Sequence, residues 1–262
     1  MNIAIVGGHG NVSMRLARLL ASRANTRVTS IFRNPEHTDE VAATGATPLV
    51  VSLEDAPKEK FVEIFEGKDI VYFSAGAGGK GAPERTRKVD YEGALKVFDA
   101  IELVRGPKPR LIMVSAIDVR DRNVRPAHYV RMFCTIYQYM YDLTVNVQTA
   151  EDLKHSEAVW QSIGRYMQAK YDADKNLVQR TAFKWTILRP GHLTNEPGTG
   201  RATVGKAPLG TSISRDDVAY TLALLADRPD AAGLGIDLNG GNDKIEEALD
   251  AFIKKGESDF LG

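Results

Sequence analysis

An α/β fold with helices on both faces of a parallel sheet is what the sequence predicts, and three observations predict it. Six short runs rich in β-branched residues alternate with helix-like stretches along 262 residues. The runs are apolar at nearly every position, as in strands covered on both faces. The first run breaks into a glycine cluster that opens directly into a helix, the start of a right-handed crossover.

In chain order, strands are expected at 2–6 (NIAIV), 27–32 (RVTSIF), 47–51 (TPLVV), 69–75 (DIVYFSA), 110–116 (RLIMVSA) and 184–190 (KWTILRP). The helix at 11–23 gathers Met14, Leu16, Leu19 and Leu20 on one broad face, and the helix at 89–104 does the same with Leu95, Phe98, Ile101 and Leu103. From Asp118 to Ser162 the pattern is less regular, with aromatic residues clustered at 128–143. This stretch reads as helical, either partly covering the crevice at the strand ends or packed on the body as an amphipathic helix. A helix at 213–227, with Asp216 and Asp217 in its first turn, a strand at 235–241 and a last helix at 244–255 make a small C-terminal, substrate-side segment. Right-handed crossovers then give a doubly wound, Rossmann-type parallel sheet in a single domain, 1–262.

Composition narrows the partners. Lysine plus arginine (34) equals aspartate plus glutamate (34), which removes the electrostatic case for nucleic acid or an anionic membrane and leaves a small molecule. The single cysteine, Cys134, cannot form an internal disulfide, and no cysteine group exists to hold zinc, so no metal is expected. Lying in the aromatic stretch, Cys134 reads as an inert buried thiol. The first strand begins at Asn2, leaving no room for a leader, and no apolar run approaches a membrane span. A cytoplasmic monomer or homodimer is expected.

The glycine cluster is Gly7-Gly8-His9-Gly10-Asn11-Val12-Ser13, a G-x-x-G-x-x-S. It departs from the usual G-x-G-x-x-G, yet it sits between strand and helix, where backbone N–H groups and the positive helix end converge on an anion. Gly7 and Gly10 allow the tight turn and close approach of a pyrophosphate, and Ser13 is small enough for helix–strand packing. A turn that binds nothing is the plainer alternative. After the second strand comes Arg33, with no carboxylate until Glu36. An acid there would receive ribose hydroxyls, whereas arginine favours a 2′-phosphate, so NADP is expected over NAD.

With GGHGNV after the first strand, FRNPEH after the second, SAGAGG at 74–79, VDYEGALKVFDAI, IMVSA, YMQAK at 166–170, LRPGHLT at 188–194 and ISRDDVA, the chain resembles the atypical short-chain dehydrogenase/reductases, in the single-domain NAD(P)-binding branch that includes NmrA-like proteins. The resemblance implies that Gly7, His9, Gly10, Asn11 and Val12 cradle the phosphates and that Arg33 reads the adenosine end. It further places Leu53 near the adenine, Ala75 and Gly76 along the ribose and pyrophosphate, and Pro190, Gly191 and His192 by the nicotinamide. Ser52 stands where relatives often carry an acid.

Tyr166 and Lys170 match the family's Tyr-x-x-x-Lys. A spacing of four puts both on one helix face, where the ammonium is expected to lower the phenol's pKa and reach the nicotinamide ribose. Such a phenol passes a proton to a carbonyl oxygen as hydride arrives. Ser115 is the third catalytic candidate, but Ala116 and Ile117 supply no hydroxyl where active members carry one. His192 reads as an alternative acid or as a turn histidine held by backbone partners. The resulting expectation is an NADP-dependent oxidoreductase acting on a carbonyl, or an activated double bond, of a modest apolar or aromatic molecule. Its rivals are a non-catalytic NADP-sensing regulator with a protein partner and an epimerase or dehydratase.

Overall fold

The computed structural model describes residues 1–77, 83–123 and 150–260. The six expected strands form as β1 (Asn2–Val6), β2 (Arg27–Phe32), β3 (Thr47–Val50), β4 (Ile70–Phe73), β5 (Arg110–Val114) and β6 (Trp185–Pro190). Between them run α1 (Asn11–Ala21), α2 (Thr38–Ala42), α3 (Lys58–Phe65), α4 (Pro83–Thr86), α5 (Gly93–Leu103) and α6 (Ala150–Val178). Beyond β6 lie β7 (His192–Thr194), β8 (Arg201–Val204), β9 (Ser212–Ser214), α7 (Arg215–Ala226), β10 (Gly235–Lys244) and α8 (Ile245–Lys255).

Eight strands make the main sheet in the order β3-β2-β1-β4-β5-β6-β10-β8, parallel except where β8 runs antiparallel to β10. The direction of winding reverses between β1 and β4, so the chain parts there at the carboxyl ends of the strands. Alternate residues of one strand feed opposite cores: Ile3 and Ile5 face the layer of α1 and α7 with Leu16, Leu20 and Leu222. Ala4 and Val6 face Phe61, Phe98 and Leu177 of α3, α5 and α6. This two-sided burial is the physical source of the unbroken apolar runs.

The C-terminal segment is richer than its sequence suggests. Its polar, glycine-bearing stretches pair locally as β7 with β9 and β8 with β10, a pattern too short to show a period. The expected helix from Ile213 starts instead at Arg215, because Ser214 is extended and its side chain caps the helix by accepting from the Asp217 amide at 2.9 Å. Within α6 the backbone breaks at Ile163 (φ −128°, ψ 28°), so residues after that break form a helix of their own direction. The expected helical character holds from 150 to 162 but not at 118–123, which run as turns and irregular chain, while the aromatic stretch 128–143 and Cys134 lie outside the described residues. No helix among the described residues is long and apolar enough to cross a membrane.

Candidate functional site

The switch point between β1 and β4 is built by glycines that cannot be replaced cheaply. Gly7 has φ +84°, and a Cβ there would fall 2.6 Å from the Ala75 Cα and 2.7 Å from its nitrogen. The turn after β1 therefore lies directly on the chain leaving β4, which brings Ala75 beside the glycine cluster; Gly76 follows it, exposed. At Gly8 a Cβ would lie 2.7 Å from the Ser30 Cβ, so the same turn is pressed against β2. Gly10 is the N-cap of α1; it has no side chain to cap the first-turn amides, and no acidic residue stands in that turn. Asn11 is exposed at the helix start, whereas Val12 and Ser13 are buried beneath it. A glycine-lined bend ending in an uncapped positive helix terminus fits the phosphates of a dinucleotide.

At the adenosine end, Arg33 extends half-exposed from the end of β2 and its Nη1 donates to Glu54 Oε1 at 2.9 Å. Arg85 approaches the same oxygen at 3.8 Å. Two guanidiniums thus share one carboxylate and leave a surplus positive charge where a 2′-phosphate is expected. Glu54 and Arg85 carry no signal in the sequence, since only the fold brings the loop after β3 to β2. Leu53 packs on Gly93 of α5, where a Cβ would meet its Cδ2 at 2.8 Å, so an apolar wall stands at the place expected for the adenine.

Lys170 is buried, 3% exposed, and its Nζ lies 3.1 Å from Asp90 Oδ1 and donates to the Val114 carbonyl at 3.3 Å. Asp90 belongs to a π-helical stretch, Arg87–Glu92, and its other oxygen accepts from the Ala77 amide at 3.0 Å. One carboxylate thereby ties the lysine to the loop after β4. Burial opposes the ammonium, but Asp90 and Tyr166 outweigh it and the Lys170 pKa is raised. Its Nζ lies 5.8 Å from the Tyr166 ring centroid. The expected lowering of the phenol pKa is not met: desolvation pushes Tyr166 upward and outweighs the opposing Lys170 charge, with Asp90 and Asp174 adding to the rise.

Ser115 is turned inward, its Oγ donating to Asp174 Oδ2 at 2.8 Å. Asp174 lies four residues beyond Lys170 on the same helix, a spacing that could have flagged it, and Asp90 stands inside the VDYEGA motif. Burial raises the Asp174 carboxyl to about 6 against the opposing pull of Arg189, Ser115 and Lys170. Arg189, 1% exposed, donates to the Asp259 and Val119 carbonyls at 2.7 and 2.8 Å and faces Asp237 at 3.2 Å. Pro190 accepts from the Ile117 amide at 3.0 Å, and Gly191 presses on Asn239, whose Oδ1 a Cβ would approach to 2.4 Å. His192 is exposed on β7, opposite Ser212.

A carboxyl whose folded pKa is raised stabilises the fold fully below its unfolded pKa and loses that contribution as pH rises through the folded value. For Asp174 the window runs from about pH 4 to about 6. Asp174→Asn, which stays neutral and keeps an oxygen for Ser115, should therefore gain in melting temperature relative to the parent as pH rises from 4.5 to 8. A constant difference across that range would contradict the buried, proton-holding carboxyl.

A doubly wound sheet whose switch point carries a glycine-fronted, uncapped helix defines a dinucleotide-binding protein. A family model described as NAD(P)H-binding matches residues 7–161 and 142–229, and the chain belongs to that family, with the atypical short-chain dehydrogenase/reductase character its motifs resemble. UPF0659 protein C216.03 of Schizosaccharomyces pombe is 38% identical over 259 residues, covering 98% of this chain and 96% of its own. The uncharacterized sugar epimerase YhfK of Bacillus subtilis is 30% identical over 249 residues, 95% of this chain and 99% of its own. Among solved structures, a Bacillus halodurans protein provisionally assigned as an NAD-dependent epimerase/dehydratase superposes with a TM-score of 0.74 at 28% identity, covering 96% and 99%. The anaerobillin reductase ChuY of Escherichia coli O157:H7 shares the fold, with a TM-score of 0.66 at 17% identity over 93% and 99%.

Proposed function

We propose that the protein is an NADP(H)-dependent oxidoreductase that reduces a carbonyl, or an activated double bond, of a modest apolar or aromatic small molecule. The observation that carries this reading is the Tyr166 ring set 5.8 Å from the buried Lys170 ammonium, which is held by Asp90 and by the Val114 carbonyl at the carboxyl end of β5. When bound, the cofactor supplies hydride. Tyr166 delivers the proton to the substrate oxygen, and its raised pKa keeps it protonated until the oxygen gains charge. Lys170, held by Asp90, keeps a positive charge beside that phenol and supports its ionisation in the transition state. Asn11 and Val12 hold the phosphates with first-turn amides of α1, Gly7 and Gly10 shape the turn with their own amides donated to the Ile31 and Gly7 carbonyls, and Arg33 with Arg85 takes the 2′-phosphate in exchange for Glu54.

Arg33→Ala should remove most of the preference for NADPH over NADH, weakening NADPH by about tenfold or more and leaving NADH nearly unchanged, as read by fluorescence titration. Equal weakening of both would take Arg33 away from the 2′-phosphate. For turnover, purified protein with NADPH is offered aldehydes, ketones and quinones. Oxidation of NADPH above the rate of Tyr166→Phe supports the reading, and no difference for any compound opposes it.

The NADP-sensing regulator is supported by one feature, the commitment of the Ser115 hydroxyl hydrogen to Asp174 with no hydroxyl at Ala116 or Ile117. NADPH binding without turnover, together with a saturable protein partner, favours that reading. The name of the Bacillus subtilis relative favours epimerisation, which the same assay separates by conversion of a sugar nucleotide without net NADPH oxidation.

A further inference from the structure

His9 and His37, far apart in sequence, meet at the edge of the glycine turn. His9 is within that turn, and His37 ends the short 3-10 turn Pro35–His37 that leads from β2 into α2. Their rings are parallel, with centroids 3.6 Å apart, and both face the carboxylate of Glu40 one helical step beyond. His9 Nε2 lies 2.9 Å from Glu40 Oε2, and His37 Nδ1 lies 3.9 Å from Oε1. The Asn34 carboxamide donates toward His37 Nε2 at 3.4 Å, leaving Nδ1 as the nitrogen turned to Glu40. One ligand atom from each of the three falls within 4.8 Å of the others; no other group of three among the described residues does so.

We propose that His9, His37 and Glu40 form a three-ligand site for a divalent transition metal of the zinc class, open at its fourth position beside the phosphate turn. Two imidazoles and a carboxylate suit zinc, cobalt or nickel rather than magnesium or calcium, which take oxygen ligands. Bonds of about 2.0–2.1 Å in a tetrahedron place ligand atoms about 3.3 Å apart. The observed spacings bracket that value, so convergence needs only rotation of one imidazole out of the stack and a small shift of the carboxylate. All three side chains are partly exposed, 31% for His9, 34% for His37 and 64% for Glu40, which leaves a path for the ion and room for water or an anion as fourth ligand. The proposal departs from the expectation of no metal, which was argued from the cysteine count and did not weigh this histidine pair.

The site is tested on the full-length protein stripped with chelator, by cobalt titration followed in the visible absorption of tetrahedral cobalt and by zinc calorimetry. One equivalent is expected to bind with a Kd of about micromolar or tighter. His37→Ala and Glu40→Gln should each weaken it by about tenfold or more, while His155→Ala, near the start of α6 and outside the cluster, leaves it unchanged. No saturable binding, or binding that survives both substitutions, would overturn the proposal. Unfolding midpoints of the variants exclude loss of fold as the cause, and because the readout uses no dinucleotide, its failure leaves the cofactor reading standing.

Discussion

Lys170→Met is expected to cost about 3–5 kcal/mol of stability, the largest effect of any single change at the site. Asp90 is fully buried, and its charge is balanced by the Lys170 ammonium at 3.1 Å and by one amide, that of Ala77. Methionine fills much of the lysine volume but leaves that carboxylate in an apolar surround with a single donor. The ion pair itself adds little net stability, since both charges were taken out of water to form it; the penalty comes from breaking it one-sidedly. The double variant Lys170→Met with Asp90→Asn should therefore recover most of the loss while remaining without proton-transfer activity. Urea unfolding at pH 7 measures both. A loss below about 1 kcal/mol in the single variant would mean that Asp90 is solvated or protonated, and the tie between Lys170 and the loop after β4 would fall.

Gly7→Ala should act on stability and on cofactor binding together. The left-handed φ of +84° strains any side chain, and the added carbon meets the Ala75 backbone at 2.6 Å, which cannot swing aside as a side chain would. Conformational strain and overpacking together cost about 2–4 kcal/mol. Relief requires the turn to lift from β4, which spreads the amides that would hold the phosphates, so NADPH affinity should fall by about tenfold or more. Gly10→Ala supplies the contrast: its φ is −63°, and its nearest obstacles are the Gly7 carbonyl at 3.2 Å and the Ser13 hydroxyl at 3.3 Å. It should fold nearly as well as the parent and lose affinity chiefly by narrowing the cradle. If Gly7→Ala binds NADPH as the parent does, the bend after β1 is not where the phosphates lie.

The central sheet was legible because burial on both faces writes itself as unbroken apolar runs, and all six of those strands pair within a residue or two of their expected limits. The glycine turn was legible for a local reason, since strand, turn and helix are contiguous. What escaped was set by long-range packing. Glu54 and Arg85 reach Arg33 only through the sheet order, and His9 meets His37 because β1 and β2 are neighbours. Strands β7 to β9, three or four residues each, are too short to carry a period. The sign of the Tyr166 shift was missed because helical spacing reveals the neighbouring ammonium but not the desolvation that outweighs it.

The grip of the β1–α1 turn on a 2′-phosphorylated dinucleotide is tested most directly by calorimetric titration of the purified protein with NADPH and with NADH. Saturable binding of both, with NADPH tighter by about tenfold or more, is the predicted result. Absence of heat from either, at concentrations up to about a millimolar, would contradict it.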